Sequence, residues 1–179
     1  MFSDVLTTIS TRLSWDDLVL DNETKQQIEE IVKYNSAIIK APDLHKNGYK
    51  VLFDGPPGTG KKLTAALIGK EINKPVYKID LSLLVSKYIG ETEKNLKKIF
   101  TEAEKKEWIL FFDEADALFG KRTDVSDSHD RYNAPVVSCL LQRLDKHPGL
   151  VIFSSKNNND SNNTFTKHLN AVIHFIKPS

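Results

Sequence analysis

Seven residues constrain this chain more than any others: Gly55-Pro56-Pro57-Gly58-Thr59-Gly60-Lys61. They follow a short apolar run, Val51-Leu52-Phe53, that reads as a buried strand. They open a segment, marked by Leu63 and Leu67, that reads as a helix. A glycine-rich loop in that setting suits a polyphosphate. The glycines let the backbone curl so that successive N–H groups point inward, the helix start adds partial positive charge, and Lys61 adds a full one. An ordinary Pro-Gly turn is the plainer alternative. The full spacing and the strand–loop–helix setting disfavour it.

The loop departs from its usual form at one position. Such loops end in Lys-Ser or Lys-Thr, whose hydroxyl ligates the Mg²⁺ that bridges the outer phosphates, whereas here the next residue is Lys62. An ammonium repels a cation. Either Lys62 prevents productive placement of Mg²⁺, or its charge partly replaces the metal's on the phosphates. At ~4 Å and an effective dielectric constant of ~20, that attraction is roughly 4 kcal/mol before desolvation is subtracted. Gly55 to Lys61, with Lys62 and Leu63 at the helix start, are the candidate nucleotide-binding residues.

Other short apolar runs read as strands: Val76 to Ile79, Trp108 to Phe112, Leu150 to Phe153 and Ala171 to Ile176. The segments between them have helical periodicity. Ile28, Ile31 and Val32, Leu96, Ile99, Phe100 and Ala103, and Val137, Leu140, Leu141 and Leu144 each follow i, i+3, i+4 spacing. Strands alternating with helices imply an α/β fold, a mostly parallel sheet covered on both faces in three layers. Two polar stretches, Gly120 to Asn133 and Lys156 to Thr164, read as loops. At 179 residues the expectation is one domain, with residues 1–45 a lead-in and helix. The 25 basic and 24 acidic residues nearly cancel, which argues against a nucleic-acid partner. No apolar run approaches a membrane span and no secretion signal opens the chain, and the single cysteine, Cys139, suits a reducing compartment. A cytoplasmic location is expected. The histidines lack ligand spacing and read as surface or loop residues, and Cys139 reads as a small buried hydrophobe.

A second chemical feature closes the strand Ile109 to Phe112, which runs into Asp113-Glu114. Asp113 at a strand end suits support of a metal, and Glu114 suits orienting and deprotonating water. A strand that merely ends in polar residues is the alternative, disfavoured downstream of a phosphate loop. Asp113 to Asp116 also spells DEAD, but no other helicase element accompanies it.

Together these segments resemble the AAA+ ATPases, specifically their AAA core module. The likeness rests on GPPGTGK at 55–61, KYIGETEKN at 87–95 and ILFFDEADALF at 109–119, and spans about Trp15 to Phe175. It implies a three-layer P-loop NTPase fold with a five-stranded parallel sheet in the order 5-1-4-3-2. It implies ATP or ADP as ligand with Mg²⁺, hydrolysis of ATP to ADP and phosphate, and remodelling of a protein partner by a ring of like or unlike subunits, with a monomer the alternative here. Tyr88-Ile89-Gly90 matches the family's pore loop, whose aromatic grips a polypeptide. The alternative is that Tyr88 and Ile89 pack on the sheet edge. Asp17, Leu18 and Val19 match the segment whose backbone passes the adenine, without its usual glycines. A helix lead-in packed by Trp15 and Leu18 is the alternative.

Three departures bear on hydrolysis. Lys62 is the first. Where the family has Ala-Thr-Asn after the fourth strand, its Asn positioning water, this chain has Ser154-Ser155-Lys156, making Ser155 and Lys156 the sensor-like residues. Where the family has paired arginines, this chain has Lys167-His168, neither with the planar fork of arginine, and Arg131 lies upstream in a polar stretch. No residues correspond to the family's C-terminal helical lid. The resemblance therefore implies an ATP-binding module with weak or lost hydrolysis. The alternative is a non-catalytic interaction subunit; a small-molecule phosphotransferase is disfavoured, since no acceptor pocket is recognisable.

Overall fold

The computed structural model describes residues 4–40, 48–88, 90–119, 128–156 and 163–177. Its strands are β1 (Leu6–Ile9), β2 (Tyr49–Asp54), β3 (Val76–Asp80), β4 (Ile109–Asp113), β5 (Leu150–Ser155) and β6 (Ala171–His174). Its helices are α1 (Asn22–Lys40), α2 (Lys61–Ile72), α3 (Leu81–Lys87), α4 (Thr92–Lys106), α5 (Asp116–Phe119), α6 (Ser128–Lys146) and α7 (Asn163–Thr166). The sheet order is β1-β3-β4-β5-β2-β6. The five strands read from sequence are all parallel and stand in the order that the resemblance implies. The correction is a sixth strand, β1, which pairs antiparallel with β3 from Leu6↔Ile79 to Ile9↔Val76.

Alternation along the strands divides the core. Leu52, Ile79, Leu110, Phe112, Val151 and Phe153 face one way, onto Leu84 of α3, Leu96, Ile99 and Phe100 of α4, and Leu140 and Leu144 of α6. Val51, Phe53, Ile109, Phe111, Ile152 and Ile173 face the other way, onto Ile28 and Ile31 of α1 and Ala65 and Ile68 of α2. Every residue of β5 is buried, as a central strand covered on both faces requires. Three rings stack through the first layer, Phe112 on Phe153 at 5.2 Å and Phe153 edge-on to Phe165 at 4.9 Å.

The missed elements carry weak apolar signals. In β1 the two threonines are exposed and only Leu6 and Ile9 are half-buried, so no buried face announces a strand. Its seating comes from Val5, which is fully buried, and from Asp4, which pairs with Lys87 Nζ and accepts a hydrogen bond from Tyr88 Oη at 3.3 Å. The helix α3 starts at Asp80, whose Oδ1 accepts from Leu83 N–H at 3.1 Å. The polar stretch read as a loop from Gly120 to Asn133 is helical from Ser128 on, with Pro135 inside α6. The end of the stretch read as a loop from Lys156 belongs to α7. No helix among the described residues is long and apolar enough to cross a membrane.

At the start of β2 the fold buries two titratable groups. Lys50 Nζ donates to the His147 carbonyl at 3.0 Å, and the His147 ring packs edge-on to Phe100 at 5.4 Å. His147 lies on the loop between α6 and β5, as one of its two expected settings has it, but it is 3% exposed, which corrects the surface alternative; its Nε2 has no hydrogen-bond partner among the described residues. Burial, helped by the Lys50 charge, pushes its pKa down to about 4. Burial lowers Lys50 to about 8, against the pull of Asp145. The folded protein therefore holds His147 neutral where the unfolded chain takes up a proton. Its contribution to stability is present above pH ~6.5 and is lost as pH falls towards 4, about 3 kcal/mol in all. Urea unfolding across that window should show His147→Leu losing less stability than the parent on acidification.

Candidate functional site

Parallel pairing brings the carboxyl ends of β2, β4 and β5 together, and a cleft of about 510 Å³ opens there. The loop that leaves β2 is shaped by two glycines. Gly55 has φ 154°, and a Cβ on it would run into the Phe175 carbonyl. Gly60 precedes α2 with φ 96°, and a Cβ there would lie 2.6 Å from Leu18 Cδ1. Thr59 Oγ1 donates to Pro56 O at 2.8 Å and tightens the turn. The ladder of α2 begins with Thr64 N–H to Gly60 O at 2.9 Å, so the N–H groups of Lys61, Lys62 and Leu63 take no part in it. They sit where an anion would meet the helix N-terminus.

Lys61 is buried, and its ammonium donates to the carbonyls of Gly55 and of Ser155, the second at 2.7 Å. Burial lowers its pKa from the ordinary lysine value, opposed by the charges of Asp54, Asp113 and Asp116. Lys62 is exposed at the cleft.

The far wall is acidic. Asp113 Oδ1 accepts the Glu114 N–H at 3.0 Å. Glu114 adopts a left-handed backbone, φ 59°, directly after β4. Its carboxylate, 34% exposed, pairs with Lys156 Nζ at 3.4 Å, while the Lys156 N–H donates to Asp116 Oδ2 at 2.8 Å. Ser154 O accepts the Ala115 N–H at 3.0 Å, so the ends of β4 and β5 are laced together. Ser155 Oγ donates to Asp54 Oδ1 at 2.7 Å.

The cleft thus gathers Pro57, Gly58, Gly60 and Lys61 to Leu63 with Asp113, Glu114, Ser155 and Lys156. Gly55, Pro56 and Thr59 form the body of the loop. Sequence reasoning missed Asp54 and Asp116. Asp116 belongs to the same acidic run as Asp113, whereas Asp54 reads as an ordinary end to an apolar strand. Tyr88 does not line the cleft. It closes α3 and packs, half-buried, against the core. Ile89 lies outside the described residues, as does the side chain of Arg131. Lys167 is exposed, and His168 Nδ1 meets Asp145 at 2.8 Å. Cys139 is half-buried.

The lead-in leans on the loop. Trp15–Asp17 form a 3₁₀ turn in which Asp17 Oδ2 accepts the Ser14 N–H at 2.8 Å. Trp15 Nε1 donates to Glu71 of α2 at 2.8 Å. Leu18 is buried beside Gly60, and Val19 is 67% exposed. Trp15, Leu18, Ile28 and Val32 line a separate groove of about 430 Å³.

Comparison with known proteins places the chain in a family and gives its fold. Residues 51–174 match the model of the ATPase family associated with various cellular activities (AAA). An uncharacterized AAA family ATPase of Sinorhizobium fredii is 32% identical over 98% of this chain and 54% of its own length. Protein SAV of Sulfolobus acidocaldarius is 33% identical over 84% of this chain and 20% of its own. A peroxisomal ATPase PEX6, from Colletotrichum orbiculare, is 34% identical over 76% of this chain and 10% of its own. The chain therefore spans about half or less of these relatives. The crystal structure of a FIGL-1 AAA domain superposes with a TM-score of 0.75 at 23% identity, covering 99% of this chain and 59% of that one. A second structure of that domain, in complex with ADP, gives 0.73 at 24% identity, with 99% and 60% covered. Both show the shared fold.

The left-handed backbone at Glu114 costs about 1–3 kcal/mol in a residue with a Cβ. Glycine adopts it freely. Glu114→Gly should unfold at higher urea than Glu114→Ala, by about 1 kcal/mol, since both lose the ion pair and only one keeps the strain. Equal stabilities would remove the strain.

Proposed function

The chain belongs to the AAA family of ATPases, and within it we propose an ATP-binding module whose hydrolysis of ATP to ADP and phosphate is slowed or lost. The observation that carries this reading is the convergence, in one cleft, of the loop 55–61 and its Lys61 with Asp113 and Glu114. Gly55 to Gly60 and the N–H groups of residues 61–63 bind the phosphates, with Lys61 and Lys62 supplying charge. A polyphosphate is a better acceptor for Lys61 than two neutral carbonyls, so its ammonium exchanges one set of partners for the other.

Magnesium fits in part. Asp113 offers a carboxylate at the strand end, and Mg²⁺ needs few protein ligands when phosphates supply the rest. Lys62 brings an ammonium where a hydroxyl ligand would stand. Glu114 is the base, but Lys156 occupies its carboxylate in an ion pair. The amide that would orient water is absent from that position, and the ammonium draws the carboxylate towards itself.

Remodelling of a protein partner through Tyr88 and Ile89, assembly into a ring of like or unlike subunits, action as a single nucleotide-binding domain and a cytoplasmic setting complete the reading. The second reading, a non-catalytic interaction subunit, draws on Lys62, Lys156 and Lys167-His168. Calorimetry with ATP and ADP, in Mg²⁺ and then in EDTA, should show binding that Lys61→Ala weakens at least tenfold. Equal affinity with and without metal would assign the metal's electrostatic role to Lys62; no binding would sink the reading. Phosphate release should be slow, abolished by Glu114→Gln and raised by Lys156→Asn. Release no faster than from Glu114→Gln selects the second reading.

A further inference from the structure

Asp54 is the last residue of β2 and stands directly before the loop. Its side chain is held from two sides. Oδ1 accepts from Ser155 Oγ of β5 at 2.7 Å, and Oδ2 lies 3.3 Å from Nδ1 of His174, the last residue of β6. Its backbone carbonyl accepts the Phe175 N–H at 2.6 Å. The residue is 8% exposed, whereas the His174 side chain is 68% exposed. A carboxylate is thus fixed, by three strands at once, beneath the loop assigned to phosphate.

Its placement bears on Lys61. The two carbonyls that take the Lys61 ammonium belong to Gly55, next in the chain to Asp54, and to Ser155, bonded to Asp54 through Oγ. Gly55 N–H in turn donates to Ser155 O at 3.1 Å. The group that sets the position of both acceptors also carries a negative charge, and among the charges acting on Lys61 it exerts the largest pull. A phosphate entering the loop must draw Lys61 away from this arrangement and approach the buried charge itself.

We propose that Asp54 is a positioning residue that holds Lys61 on the floor of the loop and lowers the affinity of the site for polyphosphate. This rests on the reading of the loop as the nucleotide site. A purely structural Asp54 predicts the opposite sign, because losing it would loosen the loop and weaken binding.

Asp54→Asn separates the two. The amide oxygen still accepts from Ser155 Oγ and the amide nitrogen still faces the imidazole, so shape is kept while charge is removed. Calorimetry on the full chain should give roughly tenfold tighter ATP binding and a smaller gain for the less highly charged ADP, as the removal of a nearby negative charge does. Asp54→Ser, a second neutral replacement, should also tighten binding, so the outcome does not hang on one variant folding. A readout without nucleotide is the rate at which an amine-acylating reagent modifies Lys61, followed by mass spectrometry. Release of Lys61 in Asp54→Asn should raise it several-fold. Unchanged acylation, or ATP binding that is unchanged or weaker in both variants, overturns the proposal. Faster acylation with no nucleotide bound by any form upholds the hold on Lys61 and instead sinks the nucleotide reading.

Discussion

One interaction organises the upper end of this molecule: the Lys61 ammonium held by the carbonyls of Gly55 and Ser155. It exists because β2 and β5 pair in parallel with Asp54 opposite Ser155, so the loop begins beside the place where β5 ends. A buried ammonium needs acceptors, and here the turn it belongs to and the strand next door supply them as backbone carbonyls. The loop's curvature, the end of β5 and the first turn of α2 are thereby fixed relative to one another. The acidic wall then follows, because β4 lies on the other side of β5 and its end is laced to it through Ser154 and Lys156.

The charges around that lysine explain why the site departs from a plain phosphate cradle. Lys61, Lys62 and Lys156 face Asp54, Asp113, Glu114 and Asp116 within a small region. Two of the basic groups are engaged by protein groups, Lys61 by carbonyls and Lys156 by Glu114. Lys62 stands exposed at the cleft, on a helix N-terminus. On the proposed function, the balance between anion binding and catalysis depends on which of these internal pairings a ligand displaces, more than on the loop sequence alone.

Legibility in the sequence followed burial. The five parallel strands are covered on both faces, so their apolar runs stand out, and Phe111, Phe112 and Phe153 leave little choice but a central sheet. The strand β1 was hidden because an edge strand needs only half a buried face, and Thr7 and Thr8 look like turn residues when read alone. The first turns of α6 were hidden by polar residues and Pro135, which erase the periodic signal. At the site, the loop and Asp113-Glu114 were legible because their chemistry is local in the chain. The pairing of Glu114 with Lys156 and the burial of Asp54 under Ser155 join distant segments, and no spacing rule reports such contacts.

The edge strand has a kinetic consequence. Asp4 and Lys87 are 83 residues apart, and β1 has no partner until β3 exists. During synthesis this segment emerges before β3 and docks only after loop closure over the intervening chain, with Val5 a fully buried anchor. Contacts of that kind are also the first to open in a folded protein. When β1 lifts, the outer N–H and C=O groups of β3 lose their partner and Tyr88 loses its tie to Asp4 in the same event. One short strap thus protects the molecule against edge-to-edge aggregation and governs how freely the end of α3 moves.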